Sequence, residues 1–188
     1  PGGHAAECTR FLPWQRLPQD LLRERLRLIE ERGRLLLGVT VDNIRGFAGG
    51  FSARLLTPQG PQGQDYSAVV LALGHTTRYD GDAAGLPLGE RVQSFSQFER
   101  TIAEAEQGRA LLPDTVAIVT DLTADSPVAV GETALKFAHY VQVEKGKQAV
   151  LFCRNVKVAA AGLEALYGKV REAGTLVFKF AQPPQFDV

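Results

Sequence analysis

Between Gln19 and Arg32, Leu22, Leu26 and Ile29 recur at helical spacing, with Arg23, Glu24, Arg27, Glu30 and Glu31 between them. That pattern predicts an amphipathic helix, with Asp20 in its first turn and Gly33 as its stop. Ahead of it, residues 1–19 hold three of the ten prolines and read as an extended segment. After the helix the periodicity changes. Leu35 to Val41 and Asn43 to Phe47 form one β-like run, and Phe51 to Leu56 a second. The Gly49-Gly50 dipeptide between them predicts a hairpin. Pro58 to Gln64 reads as a polar turn, and the apolar run Tyr66 to Leu73 as a strand buried on both faces and ending at Gly74. Residues 75–96 form the longest irregular stretch.

The last third alternates regularly. A helix over Phe95–Gly108 carries Phe98, Ile102 and Ala105 on one face. Strands are predicted at Thr115–Thr120, Gln148–Cys153 and Thr175–Phe180, separated by helices near Val130–Glu144 and Leu163–Ala173. Such β-α-β-α-β order implies parallel strands joined by right-handed crossovers. Gln182 to Gln185 closes the fold. The expected class is therefore α/β in two lobes. Residues 1–90 carry a helix, a β-meander and a closing strand, and residues 91–188 form a small Rossmann-like parallel lobe.

Composition narrows the function. Lys+Arg and Asp+Glu both number 21, so no net field favours nucleic acid or an anionic membrane. No apolar run approaches the roughly 20 residues needed to cross a bilayer, and no signal-peptide pattern leads the chain. A cytoplasmic protein without direct membrane insertion is expected. The sequence contains no Met, so Pro1 is expected to be a cut inside a longer protein or a processed end. The two cysteines, Cys8 and Cys153, supply neither a disulfide framework nor a cysteine-only metal site.

Two junctions between strand and loop stand out, since ligands of open α/β sheets sit there. Ala72-Leu73-Gly74-His75-Thr76 reads either as a backbone turn beside a ligand or as a plain strand terminus. In Thr120-Asp121-Leu122-Thr123-Ala124-Asp125, the two carboxylates suit a cation or, as the favoured reading, turn and helix-capping use. Neither junction carries a dinucleotide fingerprint or a P-loop. His4, His75 and His139 are too dispersed for a metal trio, and His139 is expected to serve packing or surface. Cys153 is expected to be a core thiol, and Cys8 alone is weak evidence of catalysis. The residues by themselves name no reaction and no catalytic group.

Three stretches, read together, resemble one family. Val41-Asp42-Asn43-Ile44-Arg45-Gly46-Phe47-Ala48-Gly49-Gly50-Phe51 is similar to the meander of the heterodisulfide reductase flavoproteins, the family of that complex's FAD-carrying polypeptide. Val69-Val70-Leu71-Ala72-Leu73-Gly74-His75 resembles the strand ending in Ala-Thr-Gly that closes the family's FAD-binding lobe, with Leu73 in place of the usual Thr. Cys153-Arg154-Asn155-Val156-Lys157, with Gly162, Glu164, Tyr167, Glu172-Ala173-Gly174 and Phe178, is similar to the family's Asp-Ile-Arg segment and the helix and strand after it.

The resemblance implies a fragment of an FAD-dependent electron-transfer oxidoreductase, inactive in isolation. On it, Gly2 and Gly3 approach FAD, Val41 offers its backbone to the adenine, and Ala72, Leu73 and Gly74 lie beside the flavin nucleotide. It further implies that the first βαβ unit of the FAD lobe belongs to a parent protein and that FAD is bound there. The family's cluster cysteines have no counterpart, so no iron–sulfur cluster is expected in this chain. The implied partners are other subunits or domains of an electron-transfer complex, and the isolated fragment is expected to self-associate through unpaired edges. The alternative reading is a cofactor-free α/β interaction module that docks partner subunits.

Overall fold

The computed structural model describes residues 3–9, 18–74 and 78–186. The chain is mixed α/β and divides into two compact units, Pro1–Glu7 with Pro18–Thr76, and Cys8–Leu17 with Thr77–Val188.

In the first unit, α1 (His4–Glu7) packs on α2 (Pro18–Arg32). Leu21, Leu22, Leu26 and Leu28 of α2 are half-buried, and the Gly33 N–H closes the helix on the Ile29 carbonyl at 2.7 Å. The strands β1 (Thr40–Phe47), β2 (Gly50–Thr57) and β3 (Gly60–Tyr66) form an antiparallel meander in that order. The expected Gly-Gly hairpin is present: Phe47 pairs with Gly50 across Ala48 and Gly49, the latter at φ +93°. Gly46 lies beside this turn at φ +112°, where an added Cβ would fall 2.1 Å from the Gly50 carbonyl oxygen, so only glycine fits. On β2, Ala53 and Leu55 are buried while their neighbours in sequence face out, the period of a sheet covered on one side.

Two strand expectations are corrected. Residues 34–39 are not strand, because Gly38 at φ +65° interrupts the extended run and β1 starts only at Thr40. The third strand is not Tyr66–Leu73 but the polar Gly60–Tyr66. Thr57 pairs with Gly60 across a two-residue turn of Pro58 and Gln59, with Gly60 at φ +112°, so the chain reverses at once. Gln62, Gln64 and Asp65 are accommodated because β3 lies at a sheet edge and its side chains are exposed. Residues 68–74 then run without regular structure, leaving Val70, Leu71 and Leu73 exposed at 89%, 70% and 87%.

In the second unit, β4 (Thr115–Val119), β5 (Gln148–Cys153) and β6 (Leu176–Lys179) form a parallel sheet in sequential order, as expected. Between them lie α4 (Val128–His139) and α5 (Leu163–Glu172), which pack on each other. The register aligns Ile118, Leu151 and Val177 in one row, and this row belongs to the core with Ala134, Leu135, Phe137, Ala138 and Val141 from the α4 side and Leu163, Leu166 and Val170 from α5. Each such fully buried aliphatic or aromatic side chain contributes roughly 1.5–3 kcal/mol. The preceding helix, α3 (Phe95–Glu106), sets Phe95 and Phe98 edge-on to Phe137 at 5.2 and 5.0 Å. A capping box starts it: the Gln97 N–H donates to the Ser94 hydroxyl, and the Ser94 N–H to the Gln97 side chain.

The predicted helix near Val130–Glu144 is two windings. After His139, α4 widens into a π turn over Tyr140–Glu144, where the Lys145 N–H reaches back to the Tyr140 carbonyl. The other face of the sheet carries the rows Ala117, Val150, Leu176 and Val119, Phe152, Phe178. There Phe152 stacks on Phe178 at 5.3 Å, and Phe186 meets Phe152 edge-on at 6.1 Å. No helix among the described residues is long and apolar enough to cross a membrane.

Candidate functional site

The residues that the resemblance implies for FAD belong to the first unit. Gly2 lies outside the described residues. Gly3 stands at φ +50°, and a Cβ there would meet open space. Val41 is half-exposed on β1, an edge strand, paired with Leu55 just before a bulge at Asp42. Ala72, Leu73 and Gly74 lie in the exposed irregular segment, and Gly74 has φ +67° with open space above it. Among the described residues no hydrogen bond joins these three stretches, so the structure presents them as separate exposed backbone. His75 and Thr76 lie outside the described residues.

A denser arrangement of polar groups sits in the second unit, at the carboxyl ends of the parallel strands. Thr120 and Asp121 follow β4, Arg154 and Asn155 follow β5, and Phe180 and Ala181 follow β6. Asp121 is 3% exposed and holds φ +62°, a left-handed conformation that costs a non-glycine residue energy. Its side chain accepts the Ser126 N–H at 2.7 Å, the Arg154 N–H at 2.9 Å and the Asn155 N–H at 3.4 Å. The Ser126 hydroxyl in turn accepts the Asp121 N–H at 3.1 Å. Burial alone would push the Asp121 carboxyl up, but the hydrogen bonds from Ser126, Arg154 and Asn155 outweigh it and hold the carboxyl below its ordinary value.

Asp125 has a different partner, Lys157 at 3.3 Å. The Asp121 carboxylate therefore serves a turn role and Asp125 an ion pair; the expected helix-capping use is not made, because α4 is capped at Pro127 without a side-chain hydrogen bond, and among the described residues no group of His, Cys, Asp and Glu is placed to hold a metal ion.

Arg154 extends the same junction. Its Nε donates to the Asp121 carbonyl at 2.9 Å, its Nη1 to the Ala181 carbonyl at 2.6 Å, and its guanidinium lies 5.7 Å from the centre of the Phe180 ring. Beside it opens a cavity of about 510 Å³ lined by Asp125, Arg154, Asn155, Lys179, Phe180 and Ala181. Lys179 has no ion-pair partner among the described residues. On the neighbouring loop the Thr123 hydroxyl donates to Asp80. Motif reasoning does not single out Arg154, Asn155 and Lys179 as one site. Their one local signal is charge placed directly at the end of apolar strands.

The remaining candidates are core residues. Cys153 is buried, and burial, with the Asp121 charge adding to it, pushes its thiol above the usual range, which makes it inert. Cys8 is buried too. His139 is buried at the end of α4 with Nδ1 3.4 Å from the Glu144 carboxylate, a packing position. The side chain of His4 lies outside the described set. No family model matches the chain, and no curated protein matches it.

Proposed function

We propose that this chain is part of an FAD-dependent electron-transfer flavoprotein similar to those of the heterodisulfide reductase family, with the first unit supplying one side of the flavin cradle. The observation that carries this reading is the run from Ala68 to Gly74. It has the composition of an interior strand, yet it exposes Val70, Leu71 and Leu73 almost fully. Apolar surface of this kind is favourable only when something covers it. Three backbone positions of this unit suit a ligand edge: Gly74 and Gly3 have positive φ with no described atom within 4 Å of an added Cβ, and Val41 lies on an edge strand. On this reading they would form half of a cradle, the half without the pyrophosphate grip.

FAD, when bound, supplies the electron chemistry. The chain's share is positional. Gly3 and Gly74 admit close approach, the Val41 backbone meets the adenine edge, and Ala72 with Leu73 walls off water beside the nucleotide. The electron carriers upstream and downstream are other subunits or domains of the complex.

The test is a longer product that carries whatever coding sequence precedes Pro1, measured for a bound-flavin absorbance spectrum with and without a Gly74→Val substitution. A flavin spectrum weakened by Gly74→Val is the expected result. A colourless product that gains nothing from added FAD would overturn the reading.

A second reading, a cofactor-free module docking partner subunits through the α/β unit, is favoured by the open sheet face. Leu176 and Phe178 on it are about half exposed, whereas parallel sheets are ordinarily covered on both sides. Partner capture that survives in the chain but is lost on Phe178→Asp, with no flavin in the longer product, would select this reading over the first.

A further inference from the structure

We propose that the cavity at the carboxyl ends of β5 and β6 binds a phosphomonoester. The site lies entirely in the second unit and does not depend on the flavin reading.

Four observations converge on it. First, Arg154, Asn155, Lys179, Phe180 and Ala181 line one open groove at the carboxyl ends of the strands, roomy enough to admit a phosphate group. Second, its charge is lopsided. Asp125 on the rim is matched by Lys157 at 3.3 Å, and the Asp121 carboxylate is occupied by backbone N–H groups. Arg154 and Lys179 are left as cations without a carboxylate partner among the described residues.

Third, Arg154 is held in place before any ligand arrives. Nε and Nη1 are anchored on the Asp121 and Ala181 carbonyls and the guanidinium is set beside Phe180, while the fork keeps further N–H donors. A fixed guanidinium loses little freedom on binding, which strengthens an anion contact. Fourth, Asp121 stands at φ +62° to clasp the loop after β5, a strained residue holding the segment that carries Arg154 and Asn155.

The ligand class follows from the donors. A fixed planar fork, with the charge of Lys179 on the same lining, suits a group with about two negative charges and three acceptor oxygens near neutral pH, which is a phosphomonoester. Asn155 lines the same groove. No fingerprint for a dinucleotide accompanies these residues, so recognition centres on the phosphate itself.

The experiment titrates the 188-residue chain with AMP, ribose 5-phosphate and adenosine while following the amide resonances of Arg154, Asn155 and Ala181. Saturable shifts with AMP and with ribose 5-phosphate, and none with adenosine, are expected. Equal affinity for the two phosphates means that the phosphate alone is held, and tighter AMP binding means that the base contributes; both support the site. Lys179→Glu, a change at an exposed residue, should weaken AMP by about tenfold or more while leaving the melting curve in place. Arg154→Lys should weaken it as well, with the melting curve checked because Arg154 also braces the loops. No saturable shift with either phosphate, adenosine binding as well as AMP, or Lys179→Glu binding like the parent chain would each overturn the proposal.

Discussion

The Asp121 carboxylate accepts the Arg154 backbone N–H at 2.9 Å, and the Asp121 carbonyl accepts the Arg154 Nε–H, also at 2.9 Å. This double clasp ties the loop after β4 to the loop after β5. It is made by a buried carboxylate in a left-handed backbone, and the hydrogen bonds it accepts are what make that conformation tolerable.

Removing the side chain strands the N–H groups of Ser126, Arg154 and Asn155. Stranding a buried donor costs about 1–3 kcal/mol, and water can reach part of this loop, so Asp121→Ala is expected to lower stability by roughly 1–3 kcal/mol in urea denaturation. Asp121→Asn keeps one acceptor oxygen and tolerates the left-handed region, so it should fall between wild type and Asp121→Ala. An Asp121→Ala protein as stable as wild type would show that the clasp contributes nothing.

The same carboxylate gives the fold a pH dependence. Its pKa is depressed in the folded state relative to the ordinary 3.8, so its contribution is fully present above that value. As pH falls below about 3.8 the unfolded form takes up the proton first, and the contribution is lost as pH drops through the lower folded-state value. Stability curves between pH 6 and pH 2.5 should therefore fall more steeply for wild type than for Asp121→Asn, on the order of one proton's difference. Parallel curves would contradict this.

The clasp is invisible in the sequence because its partners lie 33 residues apart and meet only through the sheet register. What is legible is what local pattern controls. The apolar runs of β4 and β5, the helical spacing around Ile102, and the Gly49-Gly50 hairpin all form as expected. The third meander strand does not. Gln62, Gln64 and Asp65 carry no β signal, and β3 exists because Pro58 and Gln59 turn the chain back onto β2, whose ladder its backbone completes. The converse holds for Ala68–Gly74, which has the right side chains but no neighbouring strand among the described residues to pair with. Composition specifies what a strand would bury, not whether a partner is there.

Glu99 and Lys136 form a second long-range link. Lys136 Nζ lies 2.5 Å from Glu99 Oε2, with both side chains about nine-tenths buried, and Glu99 Oε1 accepts both the Thr9 N–H and hydroxyl at 2.5 Å. Breaking a buried pair by removing one partner costs roughly 3–5 kcal/mol. Glu99→Leu strands Lys136 and Thr9 together and should reach that range, whereas Lys136→Met leaves Glu99 with Thr9 and should cost less. The double variant should recover part of the Glu99→Leu loss. Denaturation followed by far-ultraviolet circular dichroism ranks the three, and a Lys136→Met protein less stable than Glu99→Leu would refute the order.

The exposed apolar segment predicts solution behaviour. Val70, Leu71 and Leu73 together form a short β-prone run without charge, the kind that drives edge-to-edge association. The chain should self-associate as concentration rises, and Val70→Lys with Leu73→Lys should suppress this while changing stability by less than about 0.5 kcal/mol. Light scattering across a concentration series checks both. A wild-type chain that stays monomeric throughout would show that the segment does not mediate contact.

The π turn at Tyr140–Glu144 has a consequence for tolerance to insertion and deletion. Each residue of an α-helix advances the winding by about 100°, and a π turn accommodates one residue without that advance. Ahead of the turn, Ala134, Leu135, Phe137 and Ala138 belong to the core; behind it, Lys147 leads straight into β5, whose own alternation sends Ala149 and Leu151 toward the same core. The surplus residue thus acts as a phase adjuster between helix and strand. Excising one residue from 142–144 would restore regular winding and leave the two halves of the core in phase, so a deletion there should be tolerated, whereas a deletion within Val128–His139 would turn the helix by about 100° and break the packing.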